Sequence, residues 1–475
     1  MNNLILNTDG YKPSHFLQLP PGTTKVFSYI ESRGFGAQYE IPATKTLLSI
    51  TNQMHDSIFM RNSHGFLEPK SIITFGTQAS LRDIFSRPIT KEDIDEAEFI
   101  IKNVMKVPFN REGWEYILNE HDGNIPVEIH ALPEGTRVPL SQAILNIVNT
   151  DEKLPWISSY LETAILRDSW YMTTVATYSF HCKQIIAAYM RATCNNLESL
   201  EWKLHDFGAR GVSSEGSAEN GGMAHLVNFL GSDTLAAVQK AFKVYGNFVT
   251  GTIPASEHST ITAWGRENEK NAYANLLNVF ADYPIMACVS DSYDIYNAVE
   301  NIWGGSLRDD VNKFKGTLVI RPDSGDPATV VLKCLELLDM RFGSTYNSKK
   351  FKVLNPKVRI IQGDGVNIAS IVDILEAMMI NGWSASNISF GMGGALLQGH
   401  TRDDYKFAMK NSASLINGTW IDVFKDPITD SGKRSKKGLV QLWSGAEPRT
   451  VFKNGKFFNE DNFNDIRART FSHFV

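Results

Sequence analysis

The most constraining feature of the sequence is an alternation of short apolar strands and amphipathic helices between about residues 285 and 400. Four apolar runs end in Gly, Asp or Ser and are each followed by a further segment, mostly with a helical pattern: IMACVSDSYD, GTLVIRPDSGDP, KVRIIQGDG and NISFGMGG. Strands and helices that alternate at this spacing indicate parallel βα units. In barrels built from such units, the chemistry takes place on the loops that follow the strands. We therefore expect the functional groups on these loops, namely Asp291, Arg321, Asp323, Asp364 and the neighbouring glycines.

The segments on either side of this stretch have a different pattern. Residues 1–150 predict a mixed α+β lobe, with strands at KVFSYIESRG, SIITFGTQ and IPVEIHALPEGTRVPL and helices at ATKTLLSITNQMHDSIFMRN and KEDIDEAEFIIKNVMKV. A long helical stretch begins near residue 155 and leads into the α/β barrel, for which we expect residues 151–425. The polar segment MRFGSTYNSKKFKV predicts a surface loop. Residues 426–475 return to strand-like pieces, GLVQLW and RTVFKNGKFF, which we expect to rejoin the N-terminal lobe.

Length, charge and cysteine content narrow the class of protein. A chain of 475 residues suggests two or three domains, or one large barrel with an added lobe. A net charge of −5 argues against a general nucleic-acid binder. The four cysteines form no CxxC pair and no zinc-like cluster, so we expect reduced thiols and a cytoplasmic location. The chain begins without a signal-peptide pattern, and no window approaches the ~20 apolar residues of a membrane span.

Glycine-rich turns follow two of the apolar strands, QGDG at 362–365 and GMGG at 391–394. Glycines at such positions let backbone N–H groups approach a phosphate, although they more often reflect turn geometry alone. Neither turn matches GxGxxG, and the chain has no GxxxxGK[ST] motif. A Rossmann dinucleotide site and a Walker nucleotide site therefore lose support.

Two motifs combine charged groups with an aromatic ring. Arg321 and Asp323 stand two residues apart in RPDSGDP. The guanidinium can stack on a flat ring or pair with phosphate, and the carboxylate can accept sugar hydroxyls or hold a metal. A simple local ion pair is the alternative. In LHDFGARGVSSEG, Phe207 is either a core residue or a stacking platform.

Two further motifs also have two interpretations. In PASEHSTITAWG, Glu257 precedes His258 and could orient its imidazole, whereas the alternative is a histidine with a purely structural hydrogen bond. The basic run KDPITDSGKRSKKG at 425–438 is typical of a solvated face, or else of a mobile loop that meets a polyanion.

Taken together and in order, these motifs resemble the motif set of the nicotinamide phosphoribosyltransferases. The resemblance rests on LHDFGARGVSS, PASEHSTITAWG, VSDSYDIYNA, IRPDSGDP, IQGDGV, FGMGGALLQ, TRD and VFKDPITDSGKRSKKG, and extends to TDGYKPSH and VFSYIESRG near the N-terminus. It implies an α/β fold of the type II phosphoribosyltransferase kind, an irregular TIM-like α/β barrel with an additional α+β lobe formed by the N- and C-terminal segments. It also implies a homodimer whose two active sites lie at the interface, with neither nucleic acid nor membrane as a partner.

The resemblance implies a role for each matching residue. Phe207 and Arg321 would sandwich the nicotinamide ring, and Asp233 would accept its amide N–H and repel the carboxylate of nicotinate. His258, Asp323 and Arg321 are the catalytic candidates. The resemblance also assigns groups to pyrophosphate (Arg210, His258), to ribose and phosphate (Asp323, Gly363, Asp364, Gly393, Gly394, Arg402), to the other subunit's site (Tyr11, Arg33, Lys410, Lys425, Lys433) and to support (Glu257, Asp291).

The implied reaction joins nicotinamide to 5-phosphoribosyl 1-pyrophosphate, giving nicotinamide mononucleotide and pyrophosphate for NAD salvage. Mg²⁺ would be held mainly by the pyrophosphate, without a metal site made by the protein. ATP would act as a facultative co-substrate that phosphorylates His258, since a neutral imidazole is a competent nucleophile toward phosphate.

The sequence departs from the family pattern at Ala209, at Ala287 and at Gly10. A hydroxyl missing beside the amide pocket at Ala287 removes one hydrogen bond, worth roughly 0.5–1.5 kcal/mol. This bears on substrate affinity and not on the reaction class. Three alternatives stay open: the same chemistry on nicotinate or quinolinate, a non-catalytic dimeric binding or signalling protein of the same fold, and an unrelated barrel enzyme such as a metal-dependent aldolase or hydrolase.

Overall fold

The computed structural model describes residues 3–36, 41–51, 59–62, 65–429 and 433–472. Its strands are β1 Thr23–Ser32, β2 Ile41–Pro42, β3 Phe59–Arg61, β4 Phe66–Pro69, β5 Ser71–Ile73, β6 Val127–Ala131, β7 Arg137–Pro139, β8 Ala143–Asn149, β9 Leu204–Asp206, β10 Gly231–Ser232, β11 Ile285–Val289, β12 Thr317–Arg321, β13 Ser344–Tyr346, β14 Lys352–Leu354, β15 Val358–Gln362, β16 Ile388–Met392, β17 Phe407–Ile416, β18 Thr419–Asp422, β19 Arg449–Lys453 and β20 Lys456–Phe457.

The α-helices are α1 Lys45–Thr51, α2 Thr77–Ile84, α3 Lys91–Glu98, α4 Arg111–Glu120, α5 Ile157–Tyr160, α6 Glu162–Thr193, α7 Glu215–Leu226, α8 Leu235–Tyr245, α9 His258–Thr262, α10 Glu269–Val279, α11 Ile295–Asn297, α12 Arg308–Lys313, α13 Pro327–Phe342, α14 Ile368–Ile380, α15 Gly394–Leu397 and α16 Phe463–Phe471. Helices α3 and α11 continue as π-helical turns, Phe99–Val104 and Ala298–Ser306.

A curled sheet of parallel strands forms one half of the mixed α/β fold, in the order β10-β9-β16-β15-β12-β11. Every neighbouring pair is parallel, as the alternating pattern predicted. Because side chains alternate along a strand, one face packs on helices and the other does not. Ala287, Val319 and Ile361 point to this second face, where they form a small apolar cluster with Phe207 and Ile253.

One extended segment, residues 251–256, hydrogen-bonds to both edges of the curled sheet. Gly251 bridges to Gly231 in β10, and Ala255 bridges to Ala287 in β11. The segment leads directly into α9, so it carries His258 to the carboxyl ends of the strands.

The helices begin close behind the strand-end loops because capping residues start them there. Asp326 accepts the N–H of Thr329 at 3.0 Å, with Pro327 at the first turn of α13. Asn367 caps α14 in the same way, accepting the N–H groups of Ala369 and Ser370. The RPDSGDP and QGDG loops are therefore short and held at both ends.

An antiparallel sheet joins the two ends of the chain, in the order β18-β17-β1-β8-β6-β19-β20. Strand β19 pairs with β6, and β17 pairs with β1. Strands from the C-terminal part thus pair with strands of the N-terminal part, and β17 does so before residue 426. This sheet packs on its own apolar core, with Trp114, Ile129 and Phe452 among the buried residues.

Helix α6 connects the two cores. Its first turns, with Ala164 and Ile165, belong to the core of the antiparallel sheet, and its later part, from Met172 to Met190, belongs to the core of the parallel sheet. A 32-residue helix that is buried on most of its surface acts as a central support rather than a surface element.

Three local predictions are corrected by the structure. The segment predicted as one helix, residues 43–62, contains α1 and then β3, with residues 52–58 outside the described residues. The predicted polar loop at 340–353 contains the hairpin β13–β14, because its Thr and Tyr side chains suit a strand. GLVQLW, at 438–443, is not a strand. Its Leu442 is buried against the antiparallel sheet, so burial and not strand pairing explains its apolar residues.

The cysteines and the absence of an apolar span were also considered in the sequence, and both can be compared with the structure. All four cysteines are buried and unpaired. Within the described ranges, no helix combines the length and the apolar character needed to cross a bilayer.

Candidate active site

The carboxyl ends of the parallel strands converge at one edge of the curled sheet, and most predicted site residues lie there. Phe207 follows β9, Asp233 follows β10, Asp291 follows β11, Arg321 ends β12 and Asp323 follows it, Gly363 and Asp364 follow β15, and Gly393 and Gly394 follow β16. Strands distant in the chain therefore bring these residues to one place, as expected for parallel βα units.

Phe207 and Arg321 face one another. The guanidinium carbon of Arg321 lies 5.6 Å from the centroid of the Phe207 ring. Arg321 also donates two bonds from Nη2, one to each carboxylate oxygen of Asp323, both at 2.7 Å. Both interpretations of RPDSGDP are therefore compatible: the local ion pair exists, and it fixes the plane of the guanidinium that faces the ring.

Two glycines make this approach possible. A Cβ at Gly391, within β16, would overlap the Phe207 ring. A Cβ at Gly363 would lie 3.1 Å from Nε of Arg321 and 3.4 Å from Cε2 of Phe207. Sequence reasoning assigned the glycines to phosphate and missed Gly391, although it lies in the GMGG motif. By contrast, the nearest atoms to a Cβ at Gly393 and Gly394 are 3.7 and 3.8 Å away, so protein packing does not require glycine there.

His258 is bound by Asp291 and not by Glu257. Its Nε2 lies 3.0 Å from Oδ1 of Asp291, whose side chain is only 4% exposed, whereas that of His258 is 46% exposed. The Ser324 hydroxyl donates to the other oxygen of Asp291 at 2.5 Å. The expectation that Glu257 orients the imidazole is wrong, because the Glu257 carboxylate turns back to accept the Ser259 hydroxyl.

The ion-pair network and the histidine are neighbours. Nδ1 of His258 lies 3.9 Å from Oδ2 of Asp323, the same carboxylate that binds Arg321. Ser324, which sequence reasoning missed, follows Asp323 directly and bonds Asp291. The loops after β11 and β12 therefore hold one continuous polar group that ends at the Phe207 ring.

Asp233 is held by a hydroxyl that sequence reasoning also missed. Thr252 donates its hydroxyl to Oδ1 of Asp233. Strand β10 pairs with β9 so that Ser232 lies beside Asp206, which makes Asp233 and Phe207 neighbours in register. The Asp233 N–H also donates to the backbone oxygen of Asp206 at 2.9 Å. Adjacent strands lie about 4.8 Å apart, so Asp233 stands at the edge of the surface that Phe207 forms.

Ala287, one of the positions at which the sequence departs from the family pattern, lies in the same apolar cluster as Phe207. It belongs to the small apolar cluster of Phe207, Val319 and Ile361, on the face of the sheet turned away from the helices. The wall below Phe207 is thus apolar at this position, and Ala287 has no side-chain hydroxyl to offer a ligand.

Arg210, Asp364 and Arg402 are exposed at the same edge. Arg210 lies in the short turn after Phe207, and that turn packs closely on Gly394: a Cβ at Gly211 would lie 3.3 Å from the Gly394 nitrogen. Arg402 lies 3.6 Å from the carboxylate of its neighbour Asp403. No described contact joins these three side chains to the Phe207–Arg321 pair.

A second group of predicted residues lies on the antiparallel sheet or in segments outside its strands. Lys410 lies in β17 and Arg33 follows β1, and Tyr11 is 61% exposed in the N-terminal segment. Burial, followed by the nearby cations Arg33, Lys425 and Lys12, lowers the pKa of Lys410, and Glu162 opposes this effect. Lys433 belongs to the same basic loop as Lys425. Among the described residues, the contacts of Lys410 are to its own strand and to Glu162, not to Asp323.

Comparison with known proteins places the chain in a family. A model of the nicotinate phosphoribosyltransferase (NAPRTase) family matches residues 202–456, and a model of the nicotinamide phosphoribosyltransferase N-terminal domain matches residues 3–61 and 51–129. The chain is 48% identical over 445 residues to the nicotinamide phosphoribosyltransferase of Xanthomonas campestris pv. campestris, covering 93% of this chain and 88% of that one. It is 32% identical to that of Mycoplasma pneumoniae, covering 92% and 97%.

A solved structure shares the fold. The crystal structure of human nicotinic acid phosphoribosyltransferase is 12% identical, covers 98% of this chain and 93% of its own, and has a TM-score of 0.56. These matches exclude an unrelated barrel enzyme. The chain therefore belongs to the nicotinate phosphoribosyltransferase (NAPRTase) family, and its N-terminal part is a nicotinamide phosphoribosyltransferase N-terminal domain.

Proposed function

We propose that this protein is a nicotinamide phosphoribosyltransferase, which condenses nicotinamide with 5-phosphoribosyl 1-pyrophosphate to give nicotinamide mononucleotide and pyrophosphate in NAD salvage. The observation that carries the proposal is the facing pair of Phe207 and Arg321, 5.6 Å apart, with Asp233 in the neighbouring strand register. The names of the 48% and 32% identical relatives support the same substrate.

The facing pair suits a flat pyridine ring. A ring inserted between two groups makes a contact of about 3.5 Å on each side, so the two groups must stand roughly 7 Å apart. The present separation of 5.6 Å therefore grows slightly on binding. The neutral, electron-poor ring of the ligand fits between the Phe207 face and the planar Arg321 guanidinium. Both protein groups make dispersion contacts with it, and the neutral ring does not repel the guanidinium charge.

Asp233 favours the amide over the acid. Its carboxylate accepts the amide N–H of nicotinamide, whereas it would repel the carboxylate of nicotinate. The hydrogen bond from Thr252 fixes the orientation of the acceptor. Nicotinate is the second candidate substrate, since Ala287 supplies no hydroxyl beside the pocket and the matched family model is named for nicotinate.

Bond exchange at the sugar is driven by charge. The pyridine nitrogen attacks C1 of the ribose as the bond to pyrophosphate breaks, so positive charge develops on the sugar and negative charge on the leaving group. Asp323 favours the cationic sugar, and Arg210 and His258 favour the leaving pyrophosphate. No general base is needed because the pyridine nitrogen carries no proton. Gly363, Asp364, Gly393, Gly394 and Arg402 hold the ribose and its 5-phosphate.

Mg²⁺ fits this arrangement as an ion carried by the substrate. The described residues contain no group of three or more His, Cys, Asp or Glu side chains able to hold a metal ion. Mg²⁺ is commonly bound by substrate phosphates with few protein ligands, so the pyrophosphate of the substrate would be its main ligand here. When bound, Mg²⁺ neutralises the charge that develops on pyrophosphate.

His258 is proposed as the site that couples ATP hydrolysis to synthesis. In the tautomer that carries the proton on Nε2, Asp291 accepts that N–H and Nδ1 keeps a lone pair. Nδ1 can then attack the γ-phosphate of ATP, as the bond from the γ-phosphorus to the bridging oxygen breaks and ADP leaves. The coupling is facultative, because the attack of nicotinamide on C1 does not itself need the phosphohistidine.

Two identical subunits are proposed to share the sites. Tyr11, Arg33, Lys410, Lys425 and Lys433 lie on the antiparallel sheet or in the segments beside it, not around Asp323, and four of them are cations suited to phosphate. In a two-fold dimer, each subunit's cations reach the other's strand ends.

The buried, unpaired cysteines fit a cytoplasmic location. The curled sheet, joined at both edges to residues 251–256, supports an irregular barrel within residues 151–425.

An assay of Mg²⁺-dependent pyrophosphate release from 5-phosphoribosyl 1-pyrophosphate tests the proposal. Nicotinamide is expected to stimulate release with formation of nicotinamide mononucleotide, and nicotinate and quinolinate are expected to stimulate it far less. If the protein prefers nicotinate, the assignment of nicotinamide as its substrate is wrong. Nicotinamide binding without pyrophosphate release would support the non-catalytic alternative.

A further inference from the structure

Asp206 is a carboxylate behind the pocket that the reaction does not use. It ends β9, directly before Phe207, and is 0% exposed. Leu204, two residues earlier, packs in the helix-covered core, so Asp206 points toward the helices and away from the ring of Phe207. A buried acid without a cation beside it is costly, which calls for an explanation of its presence.

The hydrogen bonds of Asp206 reach both sides of the pocket. Oδ1 accepts the N–H of Gly208, the residue after Phe207, at 2.7 Å. Oδ2 accepts the hydroxyl of Ser232, the residue before Asp233, at 3.4 Å. The backbone oxygen of Asp206 accepts the N–H of Asp233 at 2.9 Å. One residue therefore connects the loop that carries the ring to the loop that carries the amide acceptor.

The surrounding packing leaves space for this carboxylate. In α7, a Cβ at Gly222 would lie 2.7 Å from Oδ2 of Asp206 and 2.6 Å from Cβ of Ala237. A Cβ at Gly208 would lie 3.1 Å from Oδ1. The glycines of the HDFG and NGG sequences thus admit the carboxylate, and a larger residue at either position would displace it.

We propose that Asp206 is a positioning residue that holds Phe207 and Asp233 at the separation nicotinamide requires, and so sets the affinity for nicotinamide rather than the rate of bond exchange. This role rests on the function proposed above.

Protonation of Asp206 should weaken this connection. Burial, opposed by hydrogen bonds and assisted by the negative charge of Asp233, raises the pKa of Asp206 to about 6. Among the described residues, Tyr171 of α6 is a further titratable group that interacts with it, and burial and the charge of Asp206 raise the pKa of Tyr171. As the pH falls through about 6, Asp206 becomes neutral and accepts its hydrogen bonds less strongly. The KM for nicotinamide should therefore rise at acid pH.

The test compares Asp206→Asn with Glu134→Gln. Glu134 is the matched control, since it is also a buried carboxylate that accepts a backbone N–H at 2.7 Å, from Gln78, but it lies away from the strand ends. At pH 7.5 the KM for nicotinamide should rise about twofold to tenfold in Asp206→Asn, the loss expected for one hydrogen bond. The kcat and the KM for 5-phosphoribosyl 1-pyrophosphate should stay within about twofold of the wild type.

The pH profile separates positioning from a general loss of structure. The wild-type KM for nicotinamide should rise below about pH 6, as the raised pKa of Asp206 requires, and that of Asp206→Asn should not. Should Asp206→Asn fail to fold, as judged by circular dichroism, Ser232→Ala removes one of the same bonds and should raise the KM for nicotinamide about twofold.

Three results would overturn the role of Asp206: an unchanged KM in a folded Asp206→Asn (or in Ser232→Ala where it is the variant tested), an equal change in both substrate KM values, or the same change in Glu134→Gln. A wild-type protein that makes no nicotinamide mononucleotide would instead overturn the proposed function, and the positioning role with it.

Discussion

The guanidinium carbon of Arg321 lies 5.6 Å from the centroid of the Phe207 ring, and the two residues come from strands β12 and β9, which are not neighbours in the sheet. Asp323 fixes the guanidinium by accepting two bonds from Nη2, and Gly391 lets the ring lie against β16. The two groups of the proposed stacking pair therefore already face each other, and a bound ring would only have to widen the gap between them.

Replacing Arg321 with Lys should impair nicotinamide binding strongly. Lysine has no planar group to stack and cannot make both bonds to Asp323. Charge-assisted hydrogen bonds contribute about 1.5–3 kcal/mol each, so kcat/KM for nicotinamide should fall about 10-fold to 100-fold. The control is Arg341→Lys, since Arg341 pairs with Glu300 on the helix layer. Steady-state kinetics measure kcat/KM for each variant, and an equal decrease in Arg321→Lys and Arg341→Lys would contradict the stacking role of Arg321.

Replacing Asp233 with Asn should reduce the preference for nicotinamide over nicotinate. The variant no longer repels a carboxylate, and about tenfold of the discrimination should be lost for each 1.4 kcal/mol of repulsion removed. The measurement is the ratio of kcat/KM for the two substrates. Thr252→Val tests the orientation of Asp233 and should raise the KM for nicotinamide without admitting nicotinate. A wild-type protein that prefers nicotinate would contradict the specificity argument.

Gly391→Ala and Gly393→Ala form a matched pair within one motif. The added methyl overlaps the Phe207 ring at Gly391, and overpacking of this kind costs about 1–3 kcal/mol. Gly391→Ala should therefore lower both the Tm and the affinity for nicotinamide. At Gly393 the nearest protein atom is 3.7 Å away, so the Tm should not change. A raised KM for 5-phosphoribosyl 1-pyrophosphate in Gly393→Ala would mark contact with that substrate, and equal loss of Tm in both variants would contradict the packing argument.

Stability should depend on the protonation of Glu134. Burial, which outweighs its hydrogen bonds, raises the pKa of Glu134 to about 7 from an ordinary value of 4.5. A carboxyl whose pKa is raised on folding stabilises the fold most below its unfolded pKa, and this contribution disappears as the pH rises through about 7. The full difference is about 3 kcal/mol. Between pH 5 and pH 8, the Tm measured in thermal melts should decrease less in Glu134→Gln than in the wild type. The exposed Glu267→Gln is the control and should follow the wild type.

Mixing two inactive variants tests the shared site. Arg321→Ala removes a residue at the strand ends, and Lys410→Ala removes one that is proposed to act in the other subunit. If the sites are shared, randomly mixed dimers should regain about a quarter of the wild-type sites, because half of the dimers are mixed and each has one complete site. Co-expression followed by an activity assay measures this. No recovery in mixed dimers would place Lys410 in the site of its own chain or in neither site.

The sequence by itself determined the positions of four strands of the curled sheet and most of the residues at their ends. Apolar runs followed by helical patterns located β11, β12, β15 and β16, because the period of apolar residues reflects local geometry. The resemblance to nicotinamide phosphoribosyltransferases then implied that Phe207 and Arg321 are partners, although 113 intervening residues separate them in the chain.

Only the tertiary structure decided which side chains bond to each other. Glu257 is next to His258 in the chain, but its carboxylate turns to Ser259, and Asp291 from another strand binds the imidazole. Gly391, Thr252 and Asp206 gain their importance in the same way, through contacts across strands. Spacing along a chain fixes which face a residue occupies, whereas the curl of the sheet fixes which faces meet.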